Sequence, residues 1–305
     1  MPPMKRFPLA PQGPEVSALA YGVWRLDKDP EGTGTARVRA KIEACLESGI
    51  TTFDHAAIYG NFTCEGHFGR ALAEAPALRE RMEIVTKCGI ERKSEAFPNV
   101  QLPQYNASAA AIVQSVDRSL RELQTDYIDL LLIHRPDWLT SAEETAAGLS
   151  AVLASGKVRS VGVSNYSVHQ FGLLARFLGT PPATNQVEIN LFHIDAIHDG
   201  TLDQCQLLGI RPMAWSPLAG GRIFTSDDPN AVKTREVLHT IASEYGASPD
   251  QIALAWVAAL PCGPQLVLGT HQIERIRRAA DSVHLTLARE HWYALWSAAQ
   301  GRNIP

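Results

Sequence analysis

Short apolar runs recur along the 305-residue chain, and longer stretches separate them. Several of these runs are apolar without clean alternation, which is typical of a strand buried on both faces. The segments between the runs are long enough for crossover helices, so the pattern predicts a parallel sheet. The eight predicted strands are Ala18–Gly22, Thr52–Asp54, Ile84–Thr86, Ile128–Ile133, Ser160–Val163, Asn185–Val187, Pro212–Trp215 and Leu266–Leu268.

The stretches between the predicted strands carry helix signals of their own. Ser108 is a predicted N-cap, and the apolar residues after it keep the helical period: Ile112, Val116, Leu120 and Leu123. Ser248 opens another helix, with a proline at the first helical position and Gln251 at N3. That helix contains the longest apolar run, Ile252 to Leu260, which is too short to span a bilayer. Pro261 is expected to close it.

An eightfold alternation of strand and helix favours a (β/α)8 barrel, or TIM barrel, over an open sheet. An open dinucleotide-binding sheet would show its glycine fingerprint after the first strand. The nearest candidate, Gly32-Thr33-Gly34, follows no strand and lacks a third glycine in place. The sequence shows no interdomain linker, so we expect one domain over residues 1–305. The longest irregular segment, Gly89 to Asn106, is expected to be a functional loop.

Composition and charge narrow the class of function. Apolar residues make up 45% of the chain and charged residues 20%, as in folded globular proteins. The net charge of -4 argues against a nucleic-acid binder, and the segment from Met1 to Pro14 lacks the apolar core of a signal peptide. The five cysteines are odd in number and include no C-x-x-C pair, which indicates reduced thiols in a cytoplasmic protein. We therefore expect neither a nucleic-acid nor a membrane partner, and no metal site.

Three titratable residues each end a different apolar run: Asp54, Lys87 and His134. In a (β/α)8 barrel the C-terminal ends of all strands meet at one mouth, so these side chains are expected to converge there. Tyr59 lies five residues after Asp54 and belongs to the loop that leaves the second strand.

Together these four side chains predict a proton-transfer site. A phenol with a pKa of about 10 is a poor acid at neutral pH, but the Lys87 ammonium would lower that pKa. Asp54 would hold Lys87 charged and oriented, and His134 would polarise a bound carbonyl oxygen. Each residue alone fits a structural role equally well, as an ion pair, a buried histidine or loop packing. The combination of the four indicates catalysis.

Two segments of the chain resemble the aldo-keto reductase family. The first is Gly49–Ala56, continuing through Tyr59-Gly60 to Glu65–Gly69, and the second is Gly156–Tyr166. The resemblance covers nearly the whole chain, and within the family it points to bacterial reductases related to the potassium-channel beta subunits. It implies a (β/α)8 barrel that binds NADP(H) without a Rossmann domain and reduces aldehydes or ketones to alcohols. Tyr59 then corresponds to the proton donor, and the nicotinamide is the hydride donor.

The resemblance also implies a cofactor site along the later strands. Ser164, Asn165 and Gln186 match residues that bond the nicotinamide carboxamide, an amide that needs paired donors and acceptors. Trp215 matches the aromatic residue that stacks on the nicotinamide. The loop along the pyrophosphate corresponds to Ser216, Pro217, Leu218, Ala219, Gly220 and Gly221, whose small residues permit close backbone approach.

The adenosine end of the cofactor is assigned to the segment after the eighth strand, where a helix begins and offers an anion site. The residues assigned to it are Gly269, Thr270, His271, Arg275 and Arg278. Arg275 and Arg278 share a helix face and are expected to grip the 2′-phosphate and adenine, which favours NADPH over NADH. Many family members carry a Glu-Asn pair where this chain has Arg278-Ala279, so the adenine contacts depart from the common pattern. The alternative, a solvated helix face, fits Arg277 best.

Aromatic residues near the strand ends are candidates for an apolar pocket that takes aromatic or medium aliphatic carbonyl substrates: Trp24, Trp138, Phe192 and Phe224. Core or rim packing explains any of them equally well, and Trp24 is also assigned to the cofactor contacts. The expected partner is a small-molecule carbonyl compound, and the expected state is a monomer, with an oligomer left open. The alternative function is a cofactor-sensing regulatory subunit with little turnover. A barrel hydrolase or isomerase would need a metal cluster or a nucleophile elbow, and the sequence shows neither.

Overall fold

A closed barrel of eight parallel strands forms the centre of the protein in the computed structural model, which describes residues 3–304. Each strand pairs with the next along the chain, and the last pairs with the first, Leu266 lying opposite Leu19. The strands are β1 (Leu19–Gly22), β2 (Thr52–Asp54), β3 (Glu83–Cys88), β4 (Leu130–Ile133), β5 (Val161–Ser164), β6 (Asn185–Glu188), β7 (Met213–Trp215) and β8 (Gln265–Leu268). This is the predicted (β/α)8 barrel.

Helices follow the strands and cover the barrel. They are α1 (Thr35–Glu47), α2 (Cys64–Glu74), α3 (Ala109–Leu123), α4 (Ala142–Ala154), α5 (Val168–Leu178), α6 (Asp195–His198), α7 (Thr201–Leu208), α8 (Arg222–Thr225), α9 (Pro229–Tyr245), α10 (Pro249–Ala258), α11 (Ile273–Ala280) and α12 (Arg289–Gln300). Short 3-10 turns span Val23–Lys28, Tyr59–Asn61, Pro76–Arg81, Ala219–Gly221 and Asp281–His284. An antiparallel hairpin, Arg6–Pro8 with Glu15–Ser17, precedes the barrel.

All eight predicted strands are present, with small shifts at their ends. β3 is longer than predicted and contains Lys87, which therefore lies inside the strand instead of after it. At the start of β4, Ile128 forms only an isolated bridge with Val158, so the strand begins two residues later than predicted. Next to that bridge, the N–H of Ile84 donates to the Asp129 carboxylate at 2.9 Å.

The predicted helix starts are confirmed. Ser108 caps α3 and accepts a hydrogen bond from the backbone N–H of Ala111. Ser248 and Gln251 form a capping box at the start of α10, which ends at Ala258 before Pro261 is reached. Nearly all of α10 is buried, as the apolar run within it predicts. Within residues 3–304, no helix has the length and apolar character needed to cross a membrane.

The segment from Gly89 to Asn106 is not irregular throughout, and in this respect the prediction is wrong. Ile90–Glu91 pairs with Gln104–Tyr105 as a short antiparallel ribbon. Such two-residue strands are too short to show a period-2 pattern in the sequence. Farther along the segment, the Phe97 ring packs on Phe62 with 5.2 Å between ring centres.

Candidate active site

The ammonium of Lys87 lies at the centre of the predicted proton-transfer cluster. Its Nζ donates to both carboxylate oxygens of Asp54 at 2.8 Å and to the backbone oxygen of His55 at 2.7 Å. It also donates to the Tyr59 hydroxyl at 3.3 Å. Asp54 and Lys87 are almost fully buried, while Tyr59 is half-buried. β2, β3 and the loop after β2 thus bring these three residues together.

Burial changes the electrostatics of this cluster relative to the sequence-based expectation. It raises the pKa of the Tyr59 phenol above its usual value, and the Lys87 ammonium opposes that rise without cancelling it. Burial alone would lower the pKa of Lys87, but the charges of Asp54 and Tyr59 outweigh that effect and raise it. Lys87 therefore stays a cation and lowers the Tyr59 pKa as predicted, but the opposite effect of burial is larger.

His134 lies beside the same cluster, directly after β4. Its ring centre is 5.9 Å from that of Tyr59, and the two rings meet edge to face. Burial, together with the charges of Lys87 and Arg135, holds the pKa of His134 well below its usual value. A neutral imidazole carries one N–H, so His134 can donate a hydrogen bond to a carbonyl oxygen at neutral pH.

The turn behind Tyr59 is conformationally costly. Gly60, Asn61 and Phe62 follow it with φ values of 60°, 55° and 73°, in the left-handed region that non-glycine residues seldom adopt. Phe62 is held there by Phe97 and by the guanidinium of Arg118, which lies 5.1 Å from the Phe62 ring centre. Backbone strain of this kind persists where packing over-determines the conformation, and it is concentrated at functional sites.

The residues assigned to the nicotinamide carboxamide meet in the structure. Ser164 Oγ donates to the backbone oxygen of Gln186 at 2.8 Å, and Asn165 Nδ2 donates to Ser164 Oγ at 2.7 Å. Trp215 Nε1 donates to Asn165 Oδ1 at 3.1 Å. The Gln186 side chain also reaches Asp54: its Nε2 donates to Asp54 Oδ1 at 2.8 Å. This last contact was not predicted.

The backbone that leaves β5 and β7 adopts left-handed conformations. Asn165 has a φ of 60°, and Ser216 has a φ of 50°. Gly220 and Gly221 also lie in the left-handed region, and a Cβ on Gly221 would meet nothing within 4 Å. This unobstructed backbone fits the small-residue cradle that a pyrophosphate needs.

Arg25 joins the two loops assigned to the far half of the cofactor. Its Nη1 donates to the backbone oxygen of Gly269 at 2.8 Å, and its Nη2 donates to that of Gly220 at 3.1 Å. Sequence reasoning missed this residue. Its position next to Trp24, directly after β1, was the only available signal.

The arginines assigned to the adenosine end differ in their surroundings. Arg278 is exposed and pairs with Asp250, its Nη2 lying 2.9 Å from Oδ2. Within residues 3–304, Arg275 is exposed and has no ion-pair partner. His271 has a buried Nδ1 without a hydrogen-bond partner among the same residues, so it can bind a polar group of a ligand. Of the two arginines, Arg275 is thus the more available for a phosphate.

The four candidate substrate-pocket residues divide into two pairs. Phe192 and Phe224 are half-buried and pack against the core. Trp24 and Trp138 are exposed, at 47% and 79% of their surface; Trp24 lies in the 3-10 turn after β1 and Trp138 in the loop after β4. Arg135, which sequence reasoning missed, lies next to His134 with its guanidinium 6.0 Å from the Trp215 ring centre. Its direct sequence neighbour His134 was the signal that pointed to it.

Known proteins match the chain over nearly its whole length. The model of the Aldo/keto reductase family matches residues 18–299. Oxidoreductase YdhF of Escherichia coli is 45% identical, with 99% of this chain and all of the relative covered. A 6-dehydroglucose reductase of Agrobacterium fabrum is 43% identical over 95% of this chain and 96% of its own. Among solved structures, the glycerol dehydrogenase AKR11B4 of Gluconobacter oxydans superposes with a TM-score of 0.83 at 26% identity, over 96% of this chain and 94% of its own.

Proposed function

The chain belongs to the aldo/keto reductase family, and on that premise we propose that it reduces aldehydes or ketones to alcohols with NADPH, using Tyr59 as the proton donor. One observation supports this role above the others. The Lys87 ammonium lies between the Asp54 carboxylate and the Tyr59 hydroxyl, and it donates to both. A cation at that point stabilises the phenolate that remains after Tyr59 has given up its proton.

In the proposed reaction the chain holds and moves the proton. Tyr59 donates its O–H to the carbonyl oxygen, and the neutral His134 ring orients that oxygen by a hydrogen bond. Asp54 keeps Lys87 in place, so the developing phenolate meets a fixed cation. When bound, NADPH supplies the hydride that the carbonyl carbon receives.

The binding of NADPH is proposed to involve both halves of the mouth. Ser164, Asn165 and Gln186 would hold the carboxamide, and Trp215 would cover one face of the nicotinamide ring. The pyrophosphate would lie along the loop that begins at Ser216, where the backbone is left-handed and partly free of side chains. The other proposed contacts of the pyrophosphate and adenosine are Trp24, Pro217, Leu218, Gly220, Gly269, Thr270, His271, Arg275 and Arg278.

A preference for NADPH over NADH is proposed from the surroundings of Arg275. Arg275 is the third residue of α11, and its guanidinium is exposed. A guanidinium in this position can bind a 2′-phosphate by charge-assisted hydrogen bonds. NADH lacks that phosphate, so it gains nothing from Arg275.

The substrate is proposed to be a small aldehyde or ketone that enters between Trp24 and Trp138. These indole faces suit apolar or sugar-like rings, and Arg135 adds hydrogen-bond donors beside His134. The Agrobacterium fabrum relative is named a 6-dehydroglucose reductase, so this aldehyde belongs in the first set of compounds to test. We place the reaction in a reducing, cytoplasmic compartment, because all five cysteines are free and buried.

The test is turnover of a panel of aldehydes, including 6-dehydroglucose, with NADPH and with NADH. Tyr59→Phe keeps the ring and removes the proton, so kcat should fall by about 10²–10⁴ while NADPH affinity stays unchanged. Wild-type turnover by Tyr59→Phe would refute the mechanism. Tight NADPH binding without turnover of any carbonyl compound would favour a regulatory subunit instead.

A further inference from the structure

The side chain of Gln186 links two parts of the mouth that the proposed function treats separately. Its Nε2 donates to Asp54 Oδ1 at 2.8 Å across the inside of the barrel, and both residues are buried. Asp54 in turn accepts from Lys87, which donates to Tyr59. A continuous chain of hydrogen bonds therefore runs from a residue assigned to the nicotinamide to the proposed proton donor.

The same chain continues on the other side of Gln186. The backbone oxygen of Gln186 accepts from Ser164, Ser164 accepts from Asn165, and Asn165 accepts from the Trp215 indole. Every member of this chain lies at the mouth. A displacement of Gln186 would thus change the hydrogen bonds of Asp54 on one side and of Ser164 on the other.

We propose that Gln186 is a positioning residue for Asp54, and that it connects the nicotinamide pocket to the proton donor Tyr59. The inference rests on the proposed function for the roles of the nicotinamide pocket and of Tyr59, but the contact itself is a direct hydrogen bond between two buried side chains of this chain. A glutamine amide carries two N–H donors and one acceptor oxygen. One N–H holds Asp54, and no residue in the described range donates to Oε1. Gln186 can therefore hold Asp54 and accept from a carboxamide at once.

The physical effect on Tyr59 follows from the charge of Asp54. A carboxylate near a phenol disfavours the phenolate, and a hydrogen bond donated to that carboxylate weakens this effect. Gln186 also fixes Oδ1, so that both carboxylate oxygens keep facing Lys87. The loss of the Gln186 donor should therefore raise the pKa of Tyr59.

Few other ionisable groups act on this chain. Those that face Tyr59 or its partners are Lys87, Asp54, Cys64, His134, His55 and Arg135. Gln186 itself carries no charge at any pH, so its substitution by an uncharged side chain leaves the number of titrating groups unchanged.

The decisive experiment titrates Tyr59 directly in the ligand-free protein. 3-Fluorotyrosine at position 59 gives a ¹⁹F signal that follows ionisation, and the electron-withdrawing fluorine lowers the phenol pKa. Gln186→Met should raise the midpoint of this ¹⁹F titration by about half a pH unit or more. Gln265→Met is the matched control, because Gln265 is a buried barrel glutamine in β8 whose Nε2 donates to the Ser17 backbone oxygen instead. That variant should leave the midpoint unchanged.

An equal midpoint in the wild type and Gln186→Met would overturn the proposal, as would an equal shift in both Met variants. If Gln186→Met does not fold, Gln186→Leu replaces it: this side chain removes the amide donor and adds no titrating group, so the midpoint of the Tyr59 titration should again rise. The titration needs neither NADPH nor a carbonyl compound. Failure of the proposed function would appear as absent turnover in the wild type, so the two failures are distinguishable.

A second readout separates positioning from carboxamide binding. If Gln186 only held the carboxamide, Gln186→Met would weaken NADPH affinity, measured by fluorescence, and leave the pH profile of kcat in place. The proposal requires that Gln186→Met change both the NADPH affinity and the pH profile of kcat. The alkaline limb of kcat for carbonyl reduction should move to higher pH. An unmoved limb would contradict it.

Discussion

The two ends of the proposed cofactor site are built in different ways. At the proposed proton-transfer end, Asp54 at the end of β2 and Lys87 near the end of β3 are buried and bonded to each other. At the adenosine end, Arg275 and Arg278 lie exposed on one helix, and their only ion pair is that of Arg278 with Asp250 among the described residues. The residues proposed for proton transfer are thus buried and bonded to one another, whereas the arginines proposed for the phosphate are exposed.

This difference has an energetic consequence. A buried charge that loses its partner cannot be rescued by water, but an exposed one can. Substitutions at the strand ends should therefore affect both folding and catalysis, and substitutions on α11 should affect binding alone.

The largest effect is expected for Asp54→Asn. It leaves the Lys87 ammonium buried beside a neutral amide, which should lower the free energy of unfolding by about 3 kcal/mol. Urea unfolding of the wild type and of Asp54→Asn measures this loss of unfolding free energy. The matched control is Asp117→Asn, which removes an exposed ion pair with Lys157 and should cost less than about 1 kcal/mol. Equal losses in the two variants would remove the contrast between buried and exposed pairs.

Acid should weaken the strand-end region through the buried imidazole of His55. His55 adjoins Asp54, and both of its ring nitrogens are buried without partners in the described structure. Burial lowers the pKa of His55 to about 3. Between pH 6.5 and pH 3, His55 is therefore protonated in the unfolded chain and neutral in the folded chain. Stability from this group is complete above pH 6.5 and is lost as the pH falls toward 3.

Between pH 7 and pH 5, His55 alone should cost about 2 kcal/mol of unfolding free energy. Urea unfolding at both values checks this. His55→Leu should flatten the dependence, and the same substitution at the exposed His169 should not. An equally steep loss in His55→Leu would assign the effect to other groups.

Arg275→Ala should weaken NADPH binding by about tenfold, or about 1.4 kcal/mol, and leave NADH binding unchanged. Fluorescence titration with each cofactor measures this, and added salt should reduce the difference because the site is exposed. The control is Arg277→Ala, since Arg277 pairs with Glu47 and is assigned to the solvated surface. Equal weakening for NADPH and NADH would refute the role of Arg275.

The smallest effect is expected at Arg278. Its guanidinium already pairs with Asp250, so Arg278→Ala should weaken NADPH binding by about threefold at most. Asp250→Asn should instead strengthen it by about twofold, because it releases Arg278 toward the phosphate. If Arg278→Ala and Arg275→Ala weaken NADPH equally, then the two arginines are equivalent and their different surroundings do not matter.

Much of the fold could be predicted from local pattern. Eight apolar runs marked the eight strands, and Asp54 and His134 were placed at the mouth by the strand ends alone. The family was predicted from two motifs and is confirmed by the match over residues 18–299. Strand periodicity and helix caps are short-range signals, so a single sequence reveals them.

Contacts between distant positions were beyond the same reasoning. Gln186 meets Asp54 across the barrel, and Arg25 reaches the backbone of Gly269, yet no local spacing links either pair. The lowering of the Tyr59 pKa by Lys87 was predicted, but its net rise was not. The charge of Lys87 is evident from the sequence, but the stronger effect, burial of the phenol, depends on everything packed around it.

The pairing of β8 with β1 affects how the chain is made as well as how it works. The ribosome synthesises Leu19 long before Leu266. One edge of β1 therefore stays unpaired until β8 has been synthesised. Arg25 can reach Gly269 only after the same strand has arrived. Ring closure and the joining of the loops after β1 and β8 should therefore be one late event, and until then the open edge of β1 can pair with other nascent chains.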